Sequence, residues 1–451
     1  MAAAIMLSLL QNHYVSMLLI YTPRITKRLS FILRLLLNDV IGIEMVVTSR
    51  IDEYLSCRGP KLAYGACPSP GELYMASSGL LFETGISGKE LRYFDFEGSR
   101  AFFPVYDDGS LFPFDMLSAS FFLVSRYEEY LPHIRDIHGR FQARSSEAYK
   151  QGFLRRPLVN IWAIMLKNKI SERYPGVKFS NRTFRFIPTY DIDAAYSYRH
   201  KGFTRGFGGF LRAAIQGDFS EIKHRTRVLL YLDADPFDTF PKQFEWQEKY
   251  NLNPVYFILF ADYGLNDKNI PVNNRYFQAL IKSIADYAEV GIHPSYGSFS
   301  KPDKLGEEIA RLSKVLRREI TSSRQHFLKL ELPATYRNLI NLDIERDYSM
   351  GFASELGFRA GICDPFNFFD LDLDIETNLR VYPFAVMDGT LNDYLKLKPE
   401  EAFDNIKPML DEVKSVGGTF ISLWHNESLS DKGRWKGWLP VYEELLKNAT
   451  S

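Results

Sequence analysis

Cysteine is scarce in this chain of 451 residues. Its three cysteines, Cys57, Cys67 and Cys363, cannot form a complete set of pairs and show no CxxC spacing, so neither a full disulfide framework nor a thiolate metal site is expected, and a reducing, cytoplasmic compartment is favoured. Long apolar runs are missing as well. Ile5 to Leu10 and Val15 to Tyr21 are separated by Gln11, Asn12 and His13, and neither approaches the ~20 apolar residues of a transmembrane segment. Arg24, Lys27 and Arg28 follow the apolar stretch instead of preceding it, the wrong order for a secretory signal. Met17 to Tyr21 reads as a first strand, with the residues before it a dispensable extension. Net charge is absent too. Fifty-five Lys and Arg balance 55 Asp and Glu, which removes the global electrostatic footprint of a DNA or RNA binder and leaves room only for a local patch.

What the chain does contain is core-forming material. Hydrophobic residues make up 46% and aromatics 15%, enough for two or three globular domains. From Ile25 to Met45, Leu29, Ile32, Leu33, Leu36 and Leu37 recur at helical spacing with basic residues between them, the pattern of an amphipathic helix on a core or, alternatively, on a membrane surface. Arg50 to Gly109 has the short apolar runs and Gly, Pro and Ser punctuation of strands and turns. Asp115 to Tyr130 and Pro157 to Tyr174 read as helices. No chemistry is visible here, and residues 1–180 are assigned to an accessory α/β domain.

From Asn181 the texture changes. Strand-like runs at Phe184 to Thr189, Pro254 to Phe260, Glu289 to Ile292, Phe358 to Gly361 and Thr419 to Leu423 alternate with helix-like stretches at Phe240 to Tyr250, Asn274 to Ala288, Pro302 to Ile320, Ala334 to Leu342 and Pro399 to Val416. Such alternation predicts a parallel sheet with crossover helices, closed as a (β/α) barrel over residues 181–451, with chemistry where strands end.

Three strand ends carry candidates. Asp191 and Asp193, spaced i and i+2 after Ile187-Pro188-Thr189-Tyr190, project to the same side of a strand. Two carboxylates so close call for a cation, a shared proton or a base role; solvated loop residues or helix caps are the alternative. His293 ends the run Glu289 to Ile292, and His425 ends Phe420 to Trp424. Each alone could be structural. Together they suggest a rim site with carboxylate and imidazole ligands suited to Zn²⁺ or another divalent transition metal.

The order of four segments, TYDID at Thr189 to Asp193, GIHPS at Gly291 to Ser295, SRQHF at Ser323 to Phe327 and SLWHN at Ser422 to Asn426, resembles the polysaccharide deacetylase (NodB-homology, carbohydrate esterase family 4) superfamily. The resemblance runs from Phe184 to the C-terminus and is nearest to the bacterial branch with an uncharacterised N-terminal domain. It implies a distorted (β/α) barrel that removes N- or O-acetyl groups from a glycan with one divalent metal, zinc first and nickel or cobalt as alternatives. By position, Asp191 matches the general base, Asp193 and His293 match metal ligands, Arg324 the residue orienting the base, and His425 the general acid. Asp388 is a candidate to orient His425.

The chain departs from the family pattern in two places. Ile192 separates two acids that usually stand side by side, and Gly297 occupies the position of the second family histidine. Ser295 and Ser298 flank Gly297 but are poor Zn²⁺ ligands, so His326 is proposed as the missing donor, an ordinary polar residue before a turn being the other reading. Trp424, Tyr296, Phe366 and Phe368 are either a sugar-stacking groove or core. Two competing functions stay open: a saccharide-binding barrel that has lost hydrolysis, and a metal-dependent amidohydrolase or phosphoesterase of a small molecule.

Overall fold

The computed structural model describes residues 17–451; the expectations about residues before Met17 lie outside them. Two parallel sheets organise the chain. In the first, strands β1 (Leu18–Tyr21), β2 (Met45–Thr48), β3 (Lys61–Tyr64) and β4 (Leu73–Met75) lie in the order β2-β1-β3-β4. The helix expected after β1 forms as Lys27–Leu33, capped by the Thr26 hydroxyl accepting from the Leu29 amide at 3.1 Å, and continues as a wider π-turn segment, Arg34–Ile41. Gly42, with φ of 77°, ends it in the left-handed conformation that glycine adopts freely. Leu29, Ile32, Leu33, Leu36 and Leu37 are fully buried, so this helix packs on a core. A short antiparallel hairpin follows, β5 (Phe94–Phe96) with β6 (Ser99–Ala101). The helix Leu158–Arg173 matches the second one expected from sequence, whereas the first, expected to reach Tyr130, stops at Val124 because Arg126 turns left-handed at φ of 54° and Tyr127–Tyr130 form a separate 3-10 turn.

The second sheet holds the site. It comprises β7 (Arg185–Ile192), β8 (Val255–Leu259), β9 (Glu289–His293), β10 (Ser322–Ser323), β11 (Arg346–Asp347), β12 (Phe366–Asp370), β13 (Ile375–Val381), β14 (Val386–Met387) and β15 (Thr419–His425), in the order β12-β13-β11-β10-β9-β8-β7-β15-β14. All neighbours are parallel except β12 with β13. The closed barrel expected from the alternation is not reached. Residues 382–385 alone join β13 near one end of the ladder to β14 at the other, and a link of that length spans at most roughly 17 Å. The sheet therefore curls until its ends approach, yet β12 occupies the free edge of β13 and, among the described residues, no ladder hydrogen bonds seal the gap. Phe358 to Gly361 is also not a strand. Its backbone bonds run to the start of the helix Leu158–Arg173 and to Leu154, from the Val159 amide to the Gly361 carbonyl and from the Phe358 amide to the Leu154 carbonyl.

Period-two alternation divides the strands between two cores. Ile187, Val255, Phe257, Ile421 and Leu423 meet in a small cluster inside the curl, while Tyr190, Tyr256, Ile258, Val290, Ile292, Phe420 and Trp424 join a large cluster beneath the outer helices. Gly291 keeps the inner face free of a side chain on β9: a Cβ there would stand 2.7 Å from the Phe257 ring and from the Ser322 carbonyl. The large cluster runs on into the first sheet's helices. Phe31 and Phe121 each lie 5.1 Å from Phe369 of β12, ring centre to centre, and Arg28 pairs with Asp374 at 2.7 Å.

Candidate metal centre

The inner-face positions at the C-terminal ends of β7, β9 and β15 are Asp191, His293 and His425. Ladder register puts Asp191 opposite His425 and Leu259 opposite His293, so three segments far apart in sequence deliver their side chains to one rim. Asp193, two residues beyond Asp191, rises over the same face. His326 arrives differently, from the turn after β10, where Phe327 and Leu328 take φ of 58° and 52°. Left-handed backbone at two successive bulky residues costs on the order of 1–2 kcal/mol each, strain that the surroundings must hold. Part of the hold comes from the first sheet's side of the molecule. Arg140 donates to the Phe327 carbonyl at 2.7 Å and to the Tyr394 hydroxyl at 3.3 Å, and is itself fixed by Asp136 at 2.6 Å.

Asp193, His293 and His326 form a group whose candidate ligand atoms all lie within 4.8 Å of one another. The Nε2 atom of His293 is 3.2 Å from one Asp193 oxygen, and that of His326 is 3.6 Å from the other. A tetrahedral ion with bonds of ~2.0–2.2 Å spaces its donors by about 3.3–3.6 Å, and these two spacings, each to a different Asp193 oxygen, are near that range. Two further observations support the fit. Among the described residues the Oδ1 atom of Asp193 is buried and, apart from its 3.2 Å approach to His293 Nε2, has no hydrogen-bond partner, the setting of an acceptor that a cation satisfies. Both imidazoles also engage through Nδ1, His293 with the Arg324 carbonyl at 2.5 Å and His326 with Asp267 at 3.0 Å. That leaves Nε2 of each as the lone-pair donor. At Gly297 a Cβ would meet only Lys304 Nζ within 4 Å, at 3.2 Å, so that position faces away from the group.

Two supported pairs flank these residues. Asp191, buried, accepts from Arg324 Nη1 at 2.9 Å, and Arg324 is fully buried with its Nε donating to the Tyr348 carbonyl at 2.9 Å. Asp388, also fully buried, accepts from the His425 backbone amide at 2.7 Å and faces Nδ1 of the same residue at 2.8 Å. Burial alone would lower the pKa of His425, but Asp388, with Asp193 and Asp191, raises it well above the ordinary imidazole value. For His326 burial likewise pulls downward, and Asp193 and Asp267 outweigh it and push the ring up to about 9. Burial would raise Asp193, yet the facing imidazoles, His326 first, hold it well below the usual carboxylate range. Binding an ion at these atoms would release the His326 proton from Nε2, since only the neutral ring offers a lone pair there.

All seven residues singled out from the sequence stand in or beside one cavity of about 250 Å³, with Arg140, Tyr394, Glu427, Arg434 and Trp435 on its wall. Sequence reading missed these wall residues and Asp267. Asp267 sits in a loop with no pattern of its own. Arg140 belongs to the first third of the chain, where no chemistry was visible. Trp424, Phe366 and Phe368 are core, and Tyr296 is held by Asp267 through its amide and by His138 through its hydroxyl.

Comparison with known proteins gives a family match over part of the chain. A family of unknown function, DUF7033, covers residues 18–175. No curated protein matches. Among solved structures, a protein from Mycobacterium smegmatis described as a polysaccharide deacetylase is similar at 14% identity and a TM-score of 0.38, covering 60% of this chain and 86% of its own. A polysaccharide deacetylase from Bacillus cereus is similar at 10% identity and a TM-score of 0.28, over 59% and 88%. An allantoinase is similar at 10% identity and a TM-score of 0.38, over 59% and 83%. These scores are low and assign no activity to the chain.

Proposed function

We propose that the chain is a metal-dependent hydrolase that removes acetyl groups from a polysaccharide or glycan precursor, with residues 1–180 as an accessory domain that walls the cavity through Arg140. The observation that carries this reading is the presence, around one candidate ion site, of two separately braced groups: Asp191 on Arg324 and His425 on Asp388. Asp193, His293 and His326 would hold a divalent ion, zinc first among those suited to two imidazoles and a carboxylate, with nickel or cobalt as alternatives. When bound, such an ion supplies a Lewis acid that acidifies water and polarises a carbonyl.

The chain's own residues move the protons. Asp191 takes one from the attacking water, and the guanidinium of Arg324, donating to its carboxylate at 2.9 Å, holds it aimed. His425 gives one to the departing nitrogen or oxygen from Nε2, because Asp388 engages Nδ1. Its raised pKa keeps it charged, and so able to donate, at neutral pH. A sheet kept only for binding saccharide has no use for both pairs. A second hollow of about 520 Å³, sharing Arg140, Leu328, Ala353 and Tyr394 with the cavity, favours an extended substrate over a small molecule.

Asp191→Asn should lower acetate release from chitooligosaccharides or peptidoglycan fragments by roughly 10²–10⁴-fold while metal content is retained. Full activity in that variant would sink the assignment. His326→Ala should lose the ion, and unchanged metal stoichiometry would rule out its role as a ligand.

A further inference from the structure

Between Asp193 and β8 the chain leaves the rim as two helices, Phe203–Ile215 and Phe219–Leu229, joined by residues 216–218 and therefore folded back on each other. They are pinned together where the Arg225 guanidinium lies 5.6 Å from the centre of the Phe210 ring, and Gly209 permits this approach, since a Cβ there would stand 2.3 Å from Arg225 Nη1. At the base, Arg205 donates to the Asn269 carbonyl at 2.9 Å, and Asn269 in turn donates to the Ile192 and Leu259 carbonyls at the ends of β7 and β8. The hairpin is thus fixed to the rim that carries the candidate metal centre.

Its outer surface has the wrong polarity for water. Leu211 and Ile215, one helical turn apart on the same face, are 53% and 78% exposed, Phe219 just past the turn is 77% exposed, and Leu265 on the next rim loop is 88% exposed. In the helix Lys27–Leu33, by contrast, the leucines and the isoleucine all go inward. The charge leans to one sign as well. Between Arg199 and Asp235 stand seven Lys and Arg against Asp218, Glu221, Asp233 and Asp235, and Glu221 and Asp233 are taken up by Arg225 and Arg227. Arg212 and Lys223 are exposed, and among the described residues neither has an ion pair. Exposed Phe, Leu and Ile on one side with uncompensated Lys and Arg beside them is the chemistry of a helix lying in the interface of an anionic bilayer. No helix among the described residues is long and apolar enough to cross a membrane, so the contact is with the surface. The three glycines of the first helix, Gly206, Gly208 and Gly209, make it a poor helix former in water, and the interface would stabilise it.

We propose that the hairpin Phe203–Leu229 docks the protein on anionic lipid surfaces, with Leu211, Ile215 and Phe219 entering the headgroup region and Arg212 and Lys223 meeting lipid phosphates. The docking stands on this surface alone and does not depend on the reaction at the rim. It would set the mouth of the candidate metal centre beside the bilayer.

The test uses the full chain with extruded vesicles of phosphatidylcholine, with and without phosphatidylglycerol, in a sedimentation assay at rising salt, alongside sedimentation equilibrium without lipid. Binding should require phosphatidylglycerol and weaken as salt rises. The variant Leu211→Ser/Ile215→Ser/Phe219→Ser, whose altered residues are already in water, should keep its circular dichroism and bind at least about tenfold more weakly. Arg212→Gln/Lys223→Gln should weaken binding without altering the fold. Absence of vesicle binding by the native chain would overturn the proposal. So would equal binding by the triple variant, or a native dimer that the triple substitution makes monomeric, since a second copy would then cover the face.

Discussion

The helix Lys27–Leu33, with its extension to Ile41, and the helix Phe203–Ile215 are close relatives as sequences: each sets large apolar residues at helical spacing among basic ones, and neither has an acid in its first turn. Their fates are opposite. In the first, Leu29, Leu33, Leu36 and Leu37 are fully buried, Arg28 donates to Asp374 and to the carbonyls of Leu80 and Gly85, and Arg34 pairs with Glu376 and Asp39. In the second, Leu211, Ile215 and Arg212 face solvent. Periodicity says that a helix has an apolar side; it does not say what covers that side. The deciding information lies in acids supplied from far along the chain. Asp374 and Glu376 come from the β12–β13 hairpin, more than three hundred residues after Arg28 and Arg34, whereas the hairpin near the rim receives no such partners for Arg212 or Lys223 among the described residues.

If buried, paired charge distinguishes the first region, breaking it should cost most. Glu129 sits between Arg126 and Arg359, at 2.7 Å and at 2.9 and 2.6 Å, with all three buried. Burial would raise its pKa, but Arg359 and Arg126 outweigh it and bring it to about 2. Its contribution to stability is therefore complete above about 4.5, the unfolded value, and is lost as pH falls through about 2. Neighbouring Glu128 shifts upward because burial outweighs its contact with Arg126, and so offsets part of this. Glu129→Gln should cost roughly 3–5 kcal/mol at neutral pH, since it strands two buried guanidinium groups. The loss should shrink on acidification. Urea melts across pH 3–7 would show it, and a cost independent of pH would argue against the pairing.

Next comes the apolar face. Leu36→Ala should destabilise by about 2–5 kcal/mol, as removal of a fully buried leucine leaves a cavity. A cost below ~1 kcal/mol by chemical denaturation would mean that the helix is not packed on the core.

The same contrast explains what could be read from sequence. Asp191, Asp193, His293 and His425 were legible because each ends or follows an apolar strand, and period-two geometry then forces them onto one face. His326 follows a strand of only two residues, β10, and was reachable only through the family order of motifs. Asp267 and Arg140 left no local signal, for their roles come from interactions across 59 and 187 residues, to His326 and to the Phe327 carbonyl. In the fold, β7, β8, β9 and β15 and the helices between them were legible, while the antiparallel pair β12 and β13 and the two-residue strands β10, β11 and β14 were not. The rim hairpin was missed because Gly206, Gly208 and Gly209 interrupt its helical pattern.

Arg140 turns the first region's buried charge toward the site. By holding the Phe327 carbonyl it braces the strained turn that carries His326, so Arg140→Met should weaken metal affinity about 10–100-fold, as loss of a group supporting a ligand does. Competition with a chelator measures this directly, and an unchanged affinity would leave Arg140 as a wall residue only.

The smallest effect is the most discriminating. Leu211→Ala removes the same side-chain atoms as Leu36→Ala, yet it should change the free energy of unfolding by less than about 0.5 kcal/mol, because the side chain is already in water when the protein is folded. Alanine is also the better helix former, which offsets the little packing that Leu211 has along its own helix. Urea denaturation of the two variants side by side, without lipid, therefore separates the two helices by several kcal/mol for one chemical change. If Leu211→Ala instead costs more than about 2 kcal/mol, the face is packed in solution and the contrast between the helices fails. If the cost is small in buffer and vesicle binding also weakens, the leucine stabilises the lipid-bound state and not the fold.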